Sequence, residues 1–437
     1  MSKACYTLSR RRFLGWTVAS AAAVAAPYVL TSAALGGSGR LAASERIGMG
    51  FIGIGTQGGG HLYGGAWTYV PGGYLARPDV QVVAVCDVRR DRREGGRQRV
   101  DEMYAKSSGR GDYKGCAAYI DFRELLARPD IDAVLIGTPI HWHAMMTVMA
   151  FQAGKDVYCE KPTALTIAES RAMRDTCRRY GRVYQAGTQQ RSEYDGKFRL
   201  TCEIVRSGRI GKLQSVYSFI NGGGVIWRRS FGPTRPVPDS VDWDLWLGPA
   251  PHSPFTGNLD AHMFGFGGIN WGQHHYDIVQ WGIGADDTSP VELGYEDGKL
   301  ALRYANGVVV YGCSYPGETL GPEGGACFVG AEGRIVVDRR AIVSYPAEIA
   351  RRPLSAEDTH LEYCSSHSGN FLECLRTRRQ PICNIEVAHR SACLLLLGGI
   401  AEQLKRPLKY DPANDRFVND PEADRLLSVP YRPPWRI

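Results

Sequence analysis

The hexapeptide Gly53-Ile54-Gly55-Thr56-Gln57-Gly58 follows a short apolar run and spaces its glycines as G-x-G-x-x-G. That pattern suits pyrophosphate binding: Gly53 permits a tight turn, Gly55 lets the backbone approach the phosphates, and Gly58 admits close helix packing, so the N–H groups opening a helix at Thr56 and Gln57 face the anion. Asp87 closes the next apolar run, Val80 to Cys86, where a carboxylate accepts hydrogen bonds from ribose hydroxyls. Its separation from Gly58 exceeds the usual roughly 20 residues, and an insertion around Trp67 to Ala76 accounts for the excess. Asp87 favours NAD because its charge repels a 2′-phosphate, whereas Arg89 and Arg90 directly after it offer NADP a counter-charge.

A second constellation is suited to proton exchange. His274 has an ordinary pKa of about 6.5. If Ile269 to Trp281 is helical, Asn270, His274 and Asp277 fall at i, i+4 and i+7 on one face, a polar lining for a cleft. Gly272 in that helix costs roughly 1 kcal/mol relative to Ala, which suits a place where substrate or another backbone comes close. His275 projects about 100° away. Trp227, Trp243, Trp246, Trp271 and Tyr276 either offer aromatic faces to a pyranose ring or pack in the core.

The elements that must position these groups have two grammars. From Ile47 to about Thr188, β-rich runs (Gly50 to Ile52, Val80 to Cys86, Ala133 to Ile136, Val157 to Cys159, Val183-Tyr184) alternate with helical stretches near Asp91 to Ala105, His143 to Ala153 and Ile167 to Tyr180. This order predicts an α/β, doubly wound parallel sheet. After Lys212, Leu300 to Ala305 and Val308 to Cys313 flank the hairpin signal Asn306-Gly307, and Asp297-Gly298 and Glu332-Gly333 punctuate neighbouring runs, so an open, mostly antiparallel sheet is expected there. A helix from Glu386 to Lys405 and a Pro-rich tail from Asp420 to Ile437 close the chain. Such a tail is expected to lie extended over a neighbour.

With 437 residues, 44% hydrophobic and 22% charged, the chain can bury a sizeable core and is not a disordered, collagen-like or multi-spanning membrane protein. Its formal charge of +7 is mostly local: the first 43 residues hold Lys3, Arg10, Arg11, Arg12 and Arg40 and no acid, which leaves 47 basic against 45 acidic side chains. No basic footprint for nucleic acid remains. Ser9-Arg10-Arg11-Arg12-Phe13-Leu14 and the Ala/Val-rich run to Leu30 resemble a twin-arginine export signal over residues 1–43. Cleavage is expected after Ser32-Ala33-Ala34 or Leu41-Ala42-Ala43. Partnership with the export machinery, a periplasmic location and no stable membrane span after cleavage follow as expectations. The eleven cysteines beyond Cys5 lack metal-like spacing and read as small buried hydrophobes, and no metal site is expected.

Glu160-Lys161-Pro162 is preceded by Gly137-Thr138-Pro139 and His141-Trp142-His143. It is followed by Gly187-Thr188-Gln189-Gln190-Arg191, by Trp243-Asp244-Leu245-Trp246-Leu247-Gly248-Pro249, and by Gly272-Gln273-His274-His275-Tyr276-Asp277. In this order, over nearly all of the chain after residue 46, the motifs resemble the Gfo/Idh/MocA family of glucose–fructose oxidoreductase and inositol dehydrogenase, in an exported bacterial branch. The resemblance implies a Rossmann NAD(P)-binding domain over 44–188 and a C-terminal α/β substrate and oligomerisation domain over 189–437, in a homo-oligomer. It also implies that Thr138, Pro139 and His143 line the cofactor, that Glu160 and Lys161 lie at its nicotinamide end and that Arg191 lines the cleft between the domains; Gln189 is expected on the cofactor, and Arg191, Asn270, Trp271 and Asp277 on a small carbohydrate. Asn270 stands where many sugar dehydrogenases of that family carry Asp, so it keeps hydrogen-bonding capacity without the charge.

Hydride transfer from a sugar carbon needs a base for the hydroxyl proton. Lys161 and His274 are the two candidates. Pro162 biases Lys161 toward an extended strand exit, where desolvation and the positive oxidised ring lower its pKa. An exported enzyme lacks a dependable pool of free nucleotide, so the cofactor is expected to stay bound through turnover. That admits a sugar or polyol oxidoreductase, a redox-neutral glycosidase, lyase or epimerase working through transient oxidation, or a nucleotide-binding sensor without catalysis.

Overall fold

The computed structural model describes residues 41–65, 71–108, 113–218, 232–257, 259, 267–318 and 323–437, with the side chains of 267–271 excepted. Nearly all of the expected export signal, Trp227 and part of the Trp67 to Ala76 insertion therefore lie outside the described residues, as do the side chains of Asn270 and Trp271. From Ile47 onward the chain forms one compact unit.

Six short apolar runs become β1 (Ile47–Ile52), β2 (Val80–Cys86), β3 (Ala117–Tyr119), β4 (Ala133–Ile136), β5 (Asp156–Cys159) and β6 (Tyr184–Ala186). They pair in the order β3-β2-β1-β4-β5-β6, every pair parallel. β1, β4, β5 and β6 are buried along their whole length, as strands covered on both faces must be. The crossover helices start on readable signals. Thr166 caps Ile167–Tyr180 through a box with Glu169, and left-handed Gly181 ends it. Helix Ile140–Gln152 opens directly after Pro139, three residues earlier than the apolar pattern alone places it.

The second sheet holds β7 (Leu213–Ser218), β8 (Glu292–Glu296), β9 (Lys299–Arg303), β10 (Val309–Tyr311), β11 (Ala326–Gly330), β12 (Arg334–Val337), β13 (Ile342–Tyr345), β14 (Leu408–Asp411) and β15 (Arg416–Phe417). Its order is β13-β12-β11-β7-β10-β9-β8-β14-β15. Only β7 and β10 pair in parallel. Gly307, at φ +88°, makes the β9–β10 turn that Asn306-Gly307 signals. Helix Ile385–Leu404, buried on most of its surface, packs against helices Gly267–Ile283 and Ile167–Tyr180 and so joins the two sheets.

Two segments cross the sequence order. Helix His367–Thr377 returns to the first sheet and buries Phe371, Leu372 and Leu375 among Met49, Leu135 and Tyr158. The C-terminal tail lies over its own chain, where the sequence suggests a neighbour: Trp435 meets Trp142 at 4.7 Å between ring centres. All eleven cysteines from Cys86 onward are free thiols, ten of them buried. No helix of the described residues is long and apolar enough to cross a membrane.

Candidate functional site

At the end of β1 the chain turns through Gly53, whose φ of +84° favours glycine, and a Cβ there would lie 2.8 Å from the Gly137 and Thr138 backbone. A Cβ on Gly58 would overlap the Gly53 carbonyl oxygen. The third glycine therefore serves helix–strand packing. Gly55 precedes helix Thr56–Tyr63, and a Cβ on it would sit 3.0 Å from the Arg92 guanidinium, so bare backbone and a cation border the same space. Asp87 turns inward: its Oδ2 accepts from Ile54 N–H at 2.8 Å and its Oδ1 from Arg89 N–H at 2.9 Å. Burial pushes its carboxyl up, against the pull of those N–H groups and of Arg92 and Arg89. Gly53, Gly55, Asp87 and Arg92 line one cleft together with Thr138 and Pro139. The acidic end of β2, the bare backbone at Gly55 and the nearby guanidinium fit a dinucleotide.

The basic residues divide differently from expectation. Arg89 forks onto Asp91, and Arg90 turns away to the Asp239 carbonyl at 3.4 Å. Arg92 faces the glycine turn instead, and its spacing from Asp87 carries no signal that singles it out. His143 stands behind the cleft, with Nδ1 2.7 Å from the Pro162 carbonyl and Nε2 2.7 Å from that of Thr138. It ties the Thr138-Pro139 loop to the Lys161 loop.

At the exit of β5, Glu160 is a buried carboxylate. Its Oε1 accepts from His61 Nε2 at 2.8 Å, Gln189 Nε2 at 2.9 Å and Gln57 Nε2 at 3.3 Å, and its Oε2 from the Lys161 N–H at 3.2 Å. Burial pushes the acid up, but His61, Lys161 and Gln57 outweigh it and hold it below its ordinary value. Gln57 and Gln189 thus meet on Glu160. Sequence reasoning missed His61, although it follows Gln57 at i+4 on the same helix face.

Lys161 and His274 come from different elements but are held together. Thr163 N–H donates to Gln273 Oε1 at 2.8 Å and Gln273 Nε2 to Thr163 Oγ1 at 3.1 Å, so the loop carrying Lys161 is clamped beside the helix carrying His274. Gln190 Nε2 reaches the His274 carbonyl at 3.3 Å. Burial, then Arg339, pull the Lys161 ammonium down against Glu160. Burial and the charges of Lys161 and Arg339 pull His274 well below the imidazole range. Arg339, from the loop after β12, is the second residue missed: it points at Gln190 Oε1 from 3.4 Å, pairs with Glu323 at 3.2 Å and covers the Tyr194 ring at 4.6 Å.

Two expected substrate contacts are spent elsewhere. Arg191 donates Nε to Asp277 Oδ2 and Nη2 to Oδ1, both at 2.9 Å, and also grips Asp286. Arg191 and Asp277 are both buried. They form an internal ion pair. His274 and Asp277 share the helix, yet Asp277 turns inward. Trp246 and Trp243 stack at 4.9 Å, with Trp246 lining the nucleotide cleft, and Tyr276 is core. Among the described residues His389, Cys393 and Asp415 have metal-like spacing, but Arg174 and Arg390 already neutralise Asp415 at 2.9 and 3.0 Å.

A six-stranded parallel sheet with a glycine turn after β1 and an acid after β2 defines a dinucleotide-binding oxidoreductase fold. Residues 47–188 match the oxidoreductase family, NAD-binding Rossmann fold, and residues 224–437 match the oxidoreductase family, C-terminal alpha/beta domain. The chain belongs to the Gfo/Idh/MocA oxidoreductase family. It is 26% identical over 216 residues to the uncharacterized oxidoreductase YrbE of Bacillus subtilis, covering 47% of this chain and 58% of that one. It is 29% identical over 169 residues to an alpha-N-acetylgalactosaminidase of Shewanella oneidensis, covering 39% of this chain and 34% of that one. These alignments thus span less than two thirds of either relative. An aldose–aldose oxidoreductase from Caulobacter crescentus shares the fold with a TM-score of 0.55 at 18% identity, covering 83% of this chain and 99% of that one.

Proposed function

We propose that the protein is an NAD(P)-dependent oxidoreductase acting on a CH–OH group of a sugar or polyol, with Lys161 and His274 as the proton-exchanging pair. The observation that carries this reading is the Gln273–Thr163 clamp, which holds the loop carrying Lys161 and the anchored Glu160 against the helix carrying His274. The nicotinamide, when bound, supplies the hydride acceptor or donor. Gly53, Gly55, Thr56, Gln57, Gly58, Asp87, Thr138, Pro139 and Gln189 hold the dinucleotide or the groups beside it. The neutral Lys161 amine takes the hydroxyl proton as the C–H bond breaks, and burial beside Arg339 makes that neutral form accessible. His274, kept neutral by the same charges, accepts or donates a hydrogen bond at the reacting oxygen. Asp87 favours NAD, while Arg92 leaves NADP within reach.

A second reading has a specific observation in its favour. Leu245 and Trp246, from the second half of the chain, border the nucleotide cleft, an enclosure that suits a retained cofactor and chemistry that restores it each cycle: a glycosidase, lyase or epimerase that oxidises a sugar transiently, or exchange between two aldoses. The Ser9 to Leu14 string supports export by the twin-arginine route to the periplasm, where retention has an advantage, and the open second sheet suits a homo-oligomer. Purified protein is assayed for bound nucleotide and then given a panel of sugars and glycosides. Net change in nicotinamide absorbance supports the dehydrogenase, product without net redox supports the second reading, and turnover unchanged in Lys161→Ala overturns the catalytic assignment.

A further inference from the structure

The wall opposite the glycine turn is built by residues far along the chain. Leu245 and Trp246 line the same cleft as Gly55, Asp87 and Thr138. The segment leading to them runs along the loop after β2: Arg90 N–H donates to the Ser240 carbonyl at 2.8 Å, Asp242 N–H to that of Val88 at 3.1 Å, and Arg89 and Val241 form a β-bridge. Trp142 Nε1 donates to the Leu245 carbonyl at 3.0 Å, and a Cβ on Gly248 would collide with the Trp142 indole. Residues 240–248 thus form a roof over the cleft.

The tail fastens this roof from outside. Arg432 donates Nε to the Gly248 carbonyl at 2.9 Å, Nη2 to the Asp244 carbonyl at 2.9 Å and Nη1 to the Asp244 carboxylate at 2.5 Å, while its own N–H reaches Pro249 O at 3.0 Å. Three residues on, Trp435 meets Trp142 edge-on and stacks on Phe122 at 6.4 Å, under the Arg123 guanidinium at 5.2 Å. Phe122 and Trp142 are themselves cleft walls. Tyr431 donates to buried Glu169 at 2.9 Å. The tail therefore grips both the roof and the floor of one cleft.

We propose that the C-terminal segment from Tyr431 to Trp435 is a strap that holds the 240–248 roof closed over the bound nucleotide and sets its residence time. This rests on the reading of the cleft as the dinucleotide site. A contact that must break before the ligand leaves, and that does not touch the ligand, acts on the dissociation rate. Releasing the strap frees the Asp244–Gly248 backbone to lift away from Asp87 and Arg89, and nothing in the glycine turn changes.

The test loads full-length protein with NADH, or NADPH where that binds better. Nucleotide fluorescence after mixing with excess unlabelled oxidised nucleotide gives the dissociation rate. Arg432→Ala and Trp435→Ala are expected to speed dissociation by about tenfold or more and to lower the nucleotide carried through purification. Asp244→Asn, an exposed change that spares the aromatic packing, is expected to give a smaller acceleration in the same direction and keeps the test valid if the other two variants fail to fold. Dissociation as slow in all folded variants as in the parent overturns the strap and leaves the cofactor site standing. Failure of the parent to bind either nucleotide, with Gly58→Ala no different, overturns the cofactor reading itself.

Discussion

His61 Nε2 lies 2.8 Å from Glu160 Oε1, and both side chains are shut away from water. A buried carboxylate left with fewer donors costs more than the bond it loses, roughly 1.5–3 kcal/mol for a hydrogen bond to a charged group. His61 touches no reacting atom and is a positioning residue. His61→Ala is expected to lower turnover by about 10- to 100-fold, with a smaller change in KM, because Glu160 shifts beside Lys161. His61→Gln, which keeps a donor at similar reach, is expected to recover much of the loss. Equal turnover in His61→Ala and parent would show that Gln189 and Gln57 anchor Glu160 unaided.

The Arg191–Asp277 pair predicts a different signature. Breaking a buried, hydrogen-bonded ion pair from one side costs roughly 3–5 kcal/mol, and here Asp286 would be left without its guanidinium as well. Arg191→Ala and Asp277→Asn are expected to depress the melting temperature strongly. The protein that remains folded is expected to keep its KM within about twofold, since neither group faces the cleft. A large KM change without loss of stability would return the pair to the substrate.

Lys161 separates catalysis from stability. It is half-buried, and the clamp beside it runs through Thr163 and Gln273, so Lys161→Met is expected to keep the melting temperature and nucleotide binding while oxidation falls by about 10²- to 10⁴-fold. Because burial and Arg339 depress its pKa, the neutral amine forms at lower pH than in a free lysine. The oxidation rate is expected to rise with pH and level off below the ordinary lysine range. Lys161→Arg, which cannot lose its proton, is expected to lack that rise. A pH profile identical in parent and Lys161→Arg would move the base to His274.

What the sequence makes legible follows from the range of the signals involved. Gly53, Gly58 and Asp87 are readable because each answers a local demand, a positive φ, a close approach or a strand end. Lys161 and His274 are readable through neighbours in motifs, but the Gln273–Thr163 clamp that unites them spans 110 positions and leaves no periodic trace. The pairing of Arg191 with Asp277 is not legible for the opposite reason: polar residues next to a cleft look the same in sequence whether they meet solvent or each other. His61 carries a usable signal at i+4 from Gln57. Arg339 carries none, because a turn between two strands gives no hint of which cleft it overhangs. The tail misleads because Pro-rich composition reports extension, not what the extended chain lies against.

Glu169 offers a pH test of the tail's anchorage. Its carboxyl accepts from the Leu165 and Thr166 N–H groups and from the Tyr431 hydroxyl, yet burial outweighs these and pushes it up to about 7 from an ordinary 4.5. Between those values the folded protein holds a proton that the unfolded chain has released, so the contribution to stability is complete below the lower value and is lost as pH rises through the upper one. The shift corresponds to about 3 kcal/mol. Glu169→Gln cannot ionise, so its stability relative to the parent is expected to improve by about that amount between about pH 5 and pH 8, measured by denaturant unfolding at each pH. A difference that stays flat across this range would show that Glu169 is already ionised in the fold and that Tyr431 binds a carboxylate throughout.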